Sequence, residues 1–140
     1  MLLAGLAAGV FSFLLGWVLW DMMGLMDYFG KNTTAAYNAL WKAPENMNMI
    51  GMIISNLAMG GLVAWMLSRM GATTWMAGFM AAAILGGLIT LSLDMFFYSM
   101  MNMYTNKTIV IIDVVVSTVT TGLAGAVAGA VLGMGAKKAA

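Results

Sequence analysis

Four long apolar stretches, separated by shorter polar ones, dominate the pattern along the chain. They cover residues 1–20, 50–67, 75–93 and 114–134. Each approaches the ~20 residues that a helix needs to cross the roughly 30 Å hydrocarbon layer of a bilayer. In lipid only helices and closed barrels pair all of their backbone groups, and these stretches lack the alternation of barrel strands. We therefore predict an all-α, membrane-embedded four-helix bundle.

The polar residues that flank the apolar stretches set the expected ends of the helices. A single transmembrane domain is expected over residues 1–140, with helices over about 2–24, 47–70, 74–102 and 108–134.

A fifth, shorter helix is expected in the first loop, within the segment "NTTAAYNALWKAPE". Thr33 or Thr34 can cap its start, and Pro44 disfavours helix at the residue that precedes it. Its apolar face consists of Tyr37, Leu40 and Trp41. We predict an interfacial helix over about 33–43, at the headgroup level where Trp and Tyr are enriched.

Composition agrees with a membrane protein and removes several classes of chemistry. The chain is 63% hydrophobic and only 8% charged, whereas soluble domains carry roughly 25% charged residues. Cysteine and histidine are absent, so thiolate metal sites, the commonest zinc ligand and the commonest proton shuttle are absent too. The serines and threonines therefore have no histidine base, and we expect no enzymatic activity and no cofactor. A net charge of +1 gives no reason to expect nucleic-acid binding.

The first apolar stretch is predicted to be a retained helix and not a secretion signal. It has no basic segment before it, and it continues into "WDMMGLMDYFG" without a clear cleavage site.

An even number of spans places both termini on one side of the membrane, here named side A. Side B then holds the loop over 22–47 and the short "MYTNKT" connection. Basic residues are divided equally, so the positive-inside rule does not orient the chain. They are Arg69, Lys137 and Lys138 on side A and Lys31, Lys42 and Lys107 on side B. The free amino terminus favours a cytoplasmic side A.

The two halves of the chain resemble each other, which indicates two duplicated helical hairpins. Gly5 precedes Asp21 by the same spacing with which Gly78 precedes Asp94. The even-numbered helices also align near their ends, "GLVAWMLSRMGA" at 61–72 with "GAVAGAVLGMGA" at 125–136. Duplicated hairpins would be related by a pseudo-twofold axis along the membrane normal. Chance similarity is the alternative, because the chain is rich in Gly, Ala and Met.

Small residues are expected at the helix contacts, because membrane helices associate through close packing. The candidate packing residues are Gly122, Gly125, Gly129 and Gly133 on the last helix and Gly5, Gly9 and Gly16 on the first. Contacts within one chain explain most of them. The last helix is small nearly all round, however, so an oligomer interface is the second interpretation.

Three acidic residues lie near the side B ends of three apolar stretches. At about 1.5 Å per residue, Asp94 lies roughly 28 Å beyond Trp75, and Asp113 lies about 9 Å inside side B. Both belong to stripes of small and polar residues that should face the bundle interior. The candidate polar or ion site comprises Asp94, Asp113, Asn56, Asp21, Tyr98 and Ser117.

Two interpretations of these acids are open. A charge at the centre of a membrane helix costs about 2.5–3.5 kcal/mol and less near the edge, so acids that only fasten the bundle by hydrogen bonds are tolerable here. Alternatively they line a side B cavity, where two nearby carboxylates disfavour joint ionisation and a proton or cation binds.

Methionines near side B offer a third possibility, a soft-metal site. Thioethers bind Cu(I), although methionine is also an ordinary flexible filler of helix contacts. The candidate ligands are Met22, Met49, Met52, Met95, Met101 and Met103.

Four motifs resemble a group of small bacterial four-helix membrane proteins of unknown function. The motifs are "LLGWVLWDMM" (14–23), "SNLAMGGLVAW" (55–65), "SLDMFFYSMMNMYTN" (92–106) and "IIDVVVSTVTTGLAGAVAGAVLG" (111–133). The resemblance implies an integral protein of the bacterial inner membrane and assigns no activity.

The sequence thus leaves three hypotheses for function. The first is a non-enzymatic bundle that packs as a homo-oligomer or as an accessory subunit of a larger membrane complex. The second is a small transporter or channel for an ion, a proton or a solute, with its acidic site near one interface. The third is copper handling at the methionine-rich mouth.

Overall fold

The computed structural model describes residues 1–138, apart from the side chains of Pro44 and of residues 136–138. Four of its helices are long and apolar enough to cross a membrane, and no strand forms within residues 1–138. The predicted all-α four-helix membrane bundle is confirmed. The helices are α1 (Leu2–Trp17, continued by a π-helical turn over Val18–Met22), α2 (Leu25–Asn32), α3 (Ala35–Asn38), α4 (Met49–Met70), α5 (Trp75–Met100) and α6 (Thr108–Lys138).

Local signals fix the ends of the central spans. The Asn48 side chain accepts a hydrogen bond from Gly51 N–H (3.0 Å) and starts α4, and Thr74 does the same for Ala77 N–H (3.2 Å) at the start of α5. Between them Gly71 has φ +66°, a left-handed conformation that suits glycine and ends α4. A tight turn therefore joins α4 to α5.

The helices pack in an order that differs from their order in the chain. α1 packs on α4, and α5 packs almost entirely on α6, while α6 also contacts α1 and α4. The compact core lies in the half of the bundle near residue 1 and the 71–74 turn, which is the predicted side A. Its members are Ala4, Ala8, Val63, Ala64, Leu67, Ala72, Ala82 and Ala128. Small side chains let these helices approach closely, so side A is tightly closed.

The aligned glycines of the two halves share only part of their contacts. A methyl group added at Gly5 would lie 3.1 Å from Gly61 Cα, and one added at Gly78 would overlap the Gly125 carbonyl. Gly5 aligns with Gly78, and Gly61 with Gly125. A methyl group at Gly125 would overlap the Gly78 carbonyl, whereas one at Gly61 would have no heavy atom within 4 Å among the described residues, and it is Gly60 that meets the Gly5 carbonyl. The duplication of a hairpin stays a prediction.

The glycines of the last helix lie against α5. A side chain at any of them would meet α5 or the turn before it, through Phe79 at Gly122, Gly78 at Gly125, Thr74 at Gly129 and Thr73 at Gly133. On the first helix, Gly5 and Gly9 contact α4 in the same way.

Gly16 departs from the prediction for the first helix. A methyl group added there would have no heavy atom within 4 Å in the described part of the chain. The reason is that α1, α4 and α6 diverge at this level and leave a cavity, which Gly16 lines.

The first loop also differs from the prediction. Instead of one helix over about 33–43, it forms α2 before that range and a short α3 within it. Thr34, one of the two predicted caps, accepts a hydrogen bond from Tyr37 N–H (3.3 Å) and starts α3. The loop therefore folds back as two short helices over the side B end of the bundle.

Candidate functional site

Residues 24–41 and 101–106 together cover the side B end of the bundle, and we name them the cap. Three hydrogen bonds join the two segments. They run from Thr34 N–H to the Met103 carbonyl (2.9 Å), from Thr105 N–H to the Asn32 carbonyl (3.0 Å) and from the Thr34 hydroxyl to the Asn102 carbonyl (2.9 Å). The first loop is therefore fastened directly above the ends of α5 and α6.

Tyr104, a residue of the cap, contacts Asp94 on α5 beneath it. The Tyr104 hydroxyl donates a hydrogen bond to Asp94 Oδ1 (2.9 Å). Asp94 is only 5% exposed, and its Oδ2 has no hydrogen-bond partner among residues 1–138. One carboxylate oxygen is thus buried and unsatisfied, which is uncommon for a native polar atom.

A second carboxylate, Asp113, lies close enough to act on the same tyrosine. Burial raises the pKa of the Tyr104 hydroxyl well above its usual range, and the hydrogen bond and the charges of Asp94 and Asp113 raise it further. Asp113 itself receives a hydrogen bond from the Ser117 hydroxyl, one helical turn deeper on α6 (3.4 Å). Acids from α5 and α6 therefore converge on Tyr104.

The cap covers a partly open cavity of about 320 Å³, here named the B cavity. Its wall is mainly aromatic, with two methionines and a few polar groups, and Asp113 supplies a carboxylate. The lining residues are Trp20, Met26, Phe29, Gly30, Thr33, Tyr37, Asn38, Trp41, Met103, Tyr104 and Asp113.

A second cavity of about 220 Å³ lies deeper, between α1, α4 and α6, and is here named the mid-bundle cavity. Hydroxyl and amide side chains interrupt its apolar wall. Its polar members are Ser12, Asn56, Ser117, Thr120 and Thr121. Trp20 lines both cavities. The Asp113–Ser117 pair also joins them, because Asp113 lines the first cavity and Ser117 the second.

The structure brings four of the six predicted site residues into this arrangement. Asp94 and Asp113 converge on Tyr104, and Ser117 and Asn56 line the mid-bundle cavity. Asp21 lies apart, exposed on the π-helical turn.

Tyr98 also lies apart from the site and is 38% exposed. The inward face of α5 continues from Asp94 to the half-buried Phe97, so Tyr98 is rotated out of it.

The predicted methionine ligands do not converge on one point. Five of the six are exposed on the outer surfaces of different segments, with Met22 77% exposed, while Met103 lines the B cavity. Within the described residues, no group of three or more His, Cys, Asp or Glu side chains is placed to hold a metal ion.

Trp20 and Phe29 line the B cavity but are not among the site residues predicted from the sequence. Their ring centroids lie 5.0 Å apart, although Trp20 ends the first span and Phe29 belongs to α2. The signal for these two residues is the aromatic content of "WDMMGLMDYFG", which shows that rings are present and does not show that they meet.

Together these features define an integral membrane protein, a four-helix bundle with an acidic, aromatic-lined cavity under a cap at one end. No protein-family model, curated protein or solved structure matches the chain. The resemblance to small bacterial four-helix membrane proteins and the bacterial inner membrane location stay predictions, as does a cytoplasmic side A.

Proposed function

We propose that the protein is a small, non-enzymatic transporter that accepts a proton or another cation at Asp113 and Asp94. The single observation that carries this proposal is the Asp113–Ser117 pair, which joins the B cavity to the mid-bundle cavity. Cations would enter under the cap and pass Trp20 into the polar interior.

The buried acids suit a cationic guest. An unsatisfied buried polar atom costs roughly 1–3 kcal/mol, more if it is charged. A proton or cation bound at Asp94 Oδ2 would remove that penalty. Ionisable residues inside a membrane bundle often mark ion or proton pathways for this reason.

The closed side A favours a carrier over an open channel. Close backbone contacts at Gly5 and Gly78 and the core around Leu67 fill the bundle between the mid-bundle cavity and side A. Release on side A therefore requires a second conformation in which these contacts separate, and a cation that binds the two conformations unequally shifts their populations.

Proteoliposomes that contain a pH-sensitive dye provide the test. Imposing a membrane potential should drive proton or cation movement through the wild type, and Asp113→Asn should abolish it. Asp21→Asn is the matched control, because Asp21 is an exposed carboxylate near the same end of the bundle. The proposal fails if folded Asp113→Asn protein moves protons and cations as well as the wild type does.

A second candidate function is self-association or attachment to a larger membrane complex, through α4 and not α6. The glycines of α6 are covered by α5 and by the turn before it. In contrast, α4 exposes a row of small residues, Gly51, Ser55, Ala58 and Gly61. Such rows let membrane helices approach closely. Gly61→Ile should lower the molecular mass of the protein–detergent complex in light scattering, and Leu91→Ile on the exposed face of α5 should not. An unchanged mass in both variants contradicts self-association through this row.

A further inference from the structure

We propose that the cation for which the B cavity is built is an organic ammonium ion, held by aromatic rings and neutralised by Asp113. This inference rests on the proposed function and names the class of its substrate. It is carried by the wall of the B cavity and by the state of the polar groups in that wall.

The first argument is the aromatic wall. Trp20 and Phe29 meet at 5.0 Å between ring centroids with planes inclined at 56°, and Tyr37 and Trp41 meet edge to face at 6.2 Å. Tyr104 adds a fifth ring. Cations within about 6 Å of such rings are attracted by the negative face of the π system, and aromatic cages are the usual receptors for alkylated ammonium groups.

The second argument is that the hydroxyl and amide groups of the wall are already engaged in hydrogen bonds within the protein. Thr33 Oγ1 lies 2.7 Å from Asn38 Oδ1, the Asn38 amide donates to the Gly30 carbonyl (2.8 Å), and the Tyr104 hydroxyl donates to Asp94. A small inorganic cation needs several free oxygen ligands. An alkylated ammonium ion needs only rings and one counter-charge, which this cavity supplies.

The third argument is charge. Asp113 contributes a carboxylate to the lining, and the described lining residues include no lysine or arginine that would oppose a cation. The basic residues of the first loop, Lys31 and Lys42, are exposed.

The volume and the position of the B cavity restrict further which ammonium ion it can bind. A volume of about 320 Å³ is at the lower end of the roughly 300–1,000 Å³ of small-molecule pockets. Trp41, 53% exposed, places one part of the wall at the surface of the cap. The guest is either a free organic cation or the ammonium headgroup of a lipid, and both share the same chemistry.

Isothermal titration calorimetry on the purified protein in maltoside detergent tests the inference. The probes are benzyltrimethylammonium, its neutral analogue 3,3-dimethylbutan-1-ol, potassium ion, and the short-chain lipids dihexanoylphosphatidylcholine and dihexanoylphosphatidylglycerol. We expect an ammonium probe to bind at least about tenfold more tightly than the neutral alcohol and than potassium. Tighter binding of phosphatidylcholine than of benzyltrimethylammonium identifies a lipid headgroup as the guest, and the reverse order identifies a free cation.

Matched variants distinguish a loss of affinity caused by a missing ring from one caused by misfolding. Tyr37→Phe keeps the ring and should keep the affinity, whereas Tyr37→Leu should weaken it about tenfold. Asp113→Asn should also weaken it about tenfold. Trp65→Leu, on the exposed surface of α4, and Asp21→Asn are the controls that should leave it unchanged.

The outcomes distinguish this inference from the proposed function. Equal binding of benzyltrimethylammonium and the neutral alcohol overturns the inference, even if Asp113→Asn still abolishes proton movement in liposomes. Selective ammonium binding that depends on Tyr37 and Asp113 supports the inference, even if no flux is found and transport is thereby contradicted.

Discussion

The Tyr104 hydroxyl lies 2.9 Å from Asp94 Oδ1 and donates a hydrogen bond to it. This contact links the connection between α5 and α6 to a carboxylate on the buried face of α5. Since Asp94 is almost fully buried, the bond satisfies one oxygen of a carboxylate that has little access to solvent.

Tyr104→Phe should therefore destabilise the protein. Both carboxylate oxygens of Asp94 would then be buried without a hydrogen bond from Tyr104, at a cost of about 1–3 kcal/mol in the free energy of unfolding. Denaturation by SDS from mixed micelles measures this change. Tyr98→Phe is the control, because Tyr98 is partly exposed and lies outside the site, and an equal loss in both variants would contradict the assigned role.

The Tyr104 hydroxyl should also titrate above the usual tyrosine range, as followed by absorbance at 295 nm. The raised pKa means that the contribution of the protonated hydroxyl to stability is complete below the usual tyrosine pKa of about 10. That contribution is lost only as the pH rises through the higher pKa of the folded state. Tyr104→Phe should remove the component of the titration that lies above the usual tyrosine range, and persistence of that component in the variant would assign it to another residue.

Gly78→Ala should destabilise the bundle because the added methyl group would overlap the Gly125 carbonyl. Overpacking of this kind costs about 1–3 kcal/mol. Gly16→Ala is the matched control, since the same methyl group would enter open space there and alanine favours a helix by about 1 kcal/mol over glycine. Equal melting temperatures of the two variants would contradict the close contact between α5 and α6.

Thr34→Ala should loosen the cap and leave the spans unchanged. The substitution removes the side-chain hydrogen bond that starts α3 and the side-chain hydrogen bond to the Asn102 carbonyl. Loss of such an N-terminal hydrogen bond costs a helix about 0.5–2 kcal/mol. Hydrogen exchange should become faster in residues 24–41. Ser99→Ala, which removes an exposed bond within one helix, should leave exchange in the cap unchanged.

The spans and the inward direction of the acids could be predicted from the sequence because the signals are local. Hydropathy over ~20 residues defines a span, Gly71 and Thr74 mark a turn, and the spacing around Asp94 and Asp113 assigns a helix face. Each of these signals is contained within a few helical turns.

The cap and the aromatic cavity could not be predicted in this way. Thr34 and Asn102 are bonded although they are 68 residues apart in the chain, and no local pattern specifies such a partner. Gly16 illustrates the same limit, because a glycine stripe indicates that helices can approach and does not show where they diverge. The sequence likewise could not show that α5 covers the glycines of α6, because that contact depends on the order in which the helices pack.

That packing order has a consequence for how the protein is made. During synthesis the N-terminal segments leave the ribosome first, so α1 and α4 reach the bilayer before α6 and carry Ser12 and Asn56 with them. These two residues have no Ser117, Thr120 or Thr121 to face until the last of the four spans inserts. Insertion of α6 is therefore the step that encloses the polar interior, and a chain halted after α5 would present that interior to lipid and to quality-control proteases.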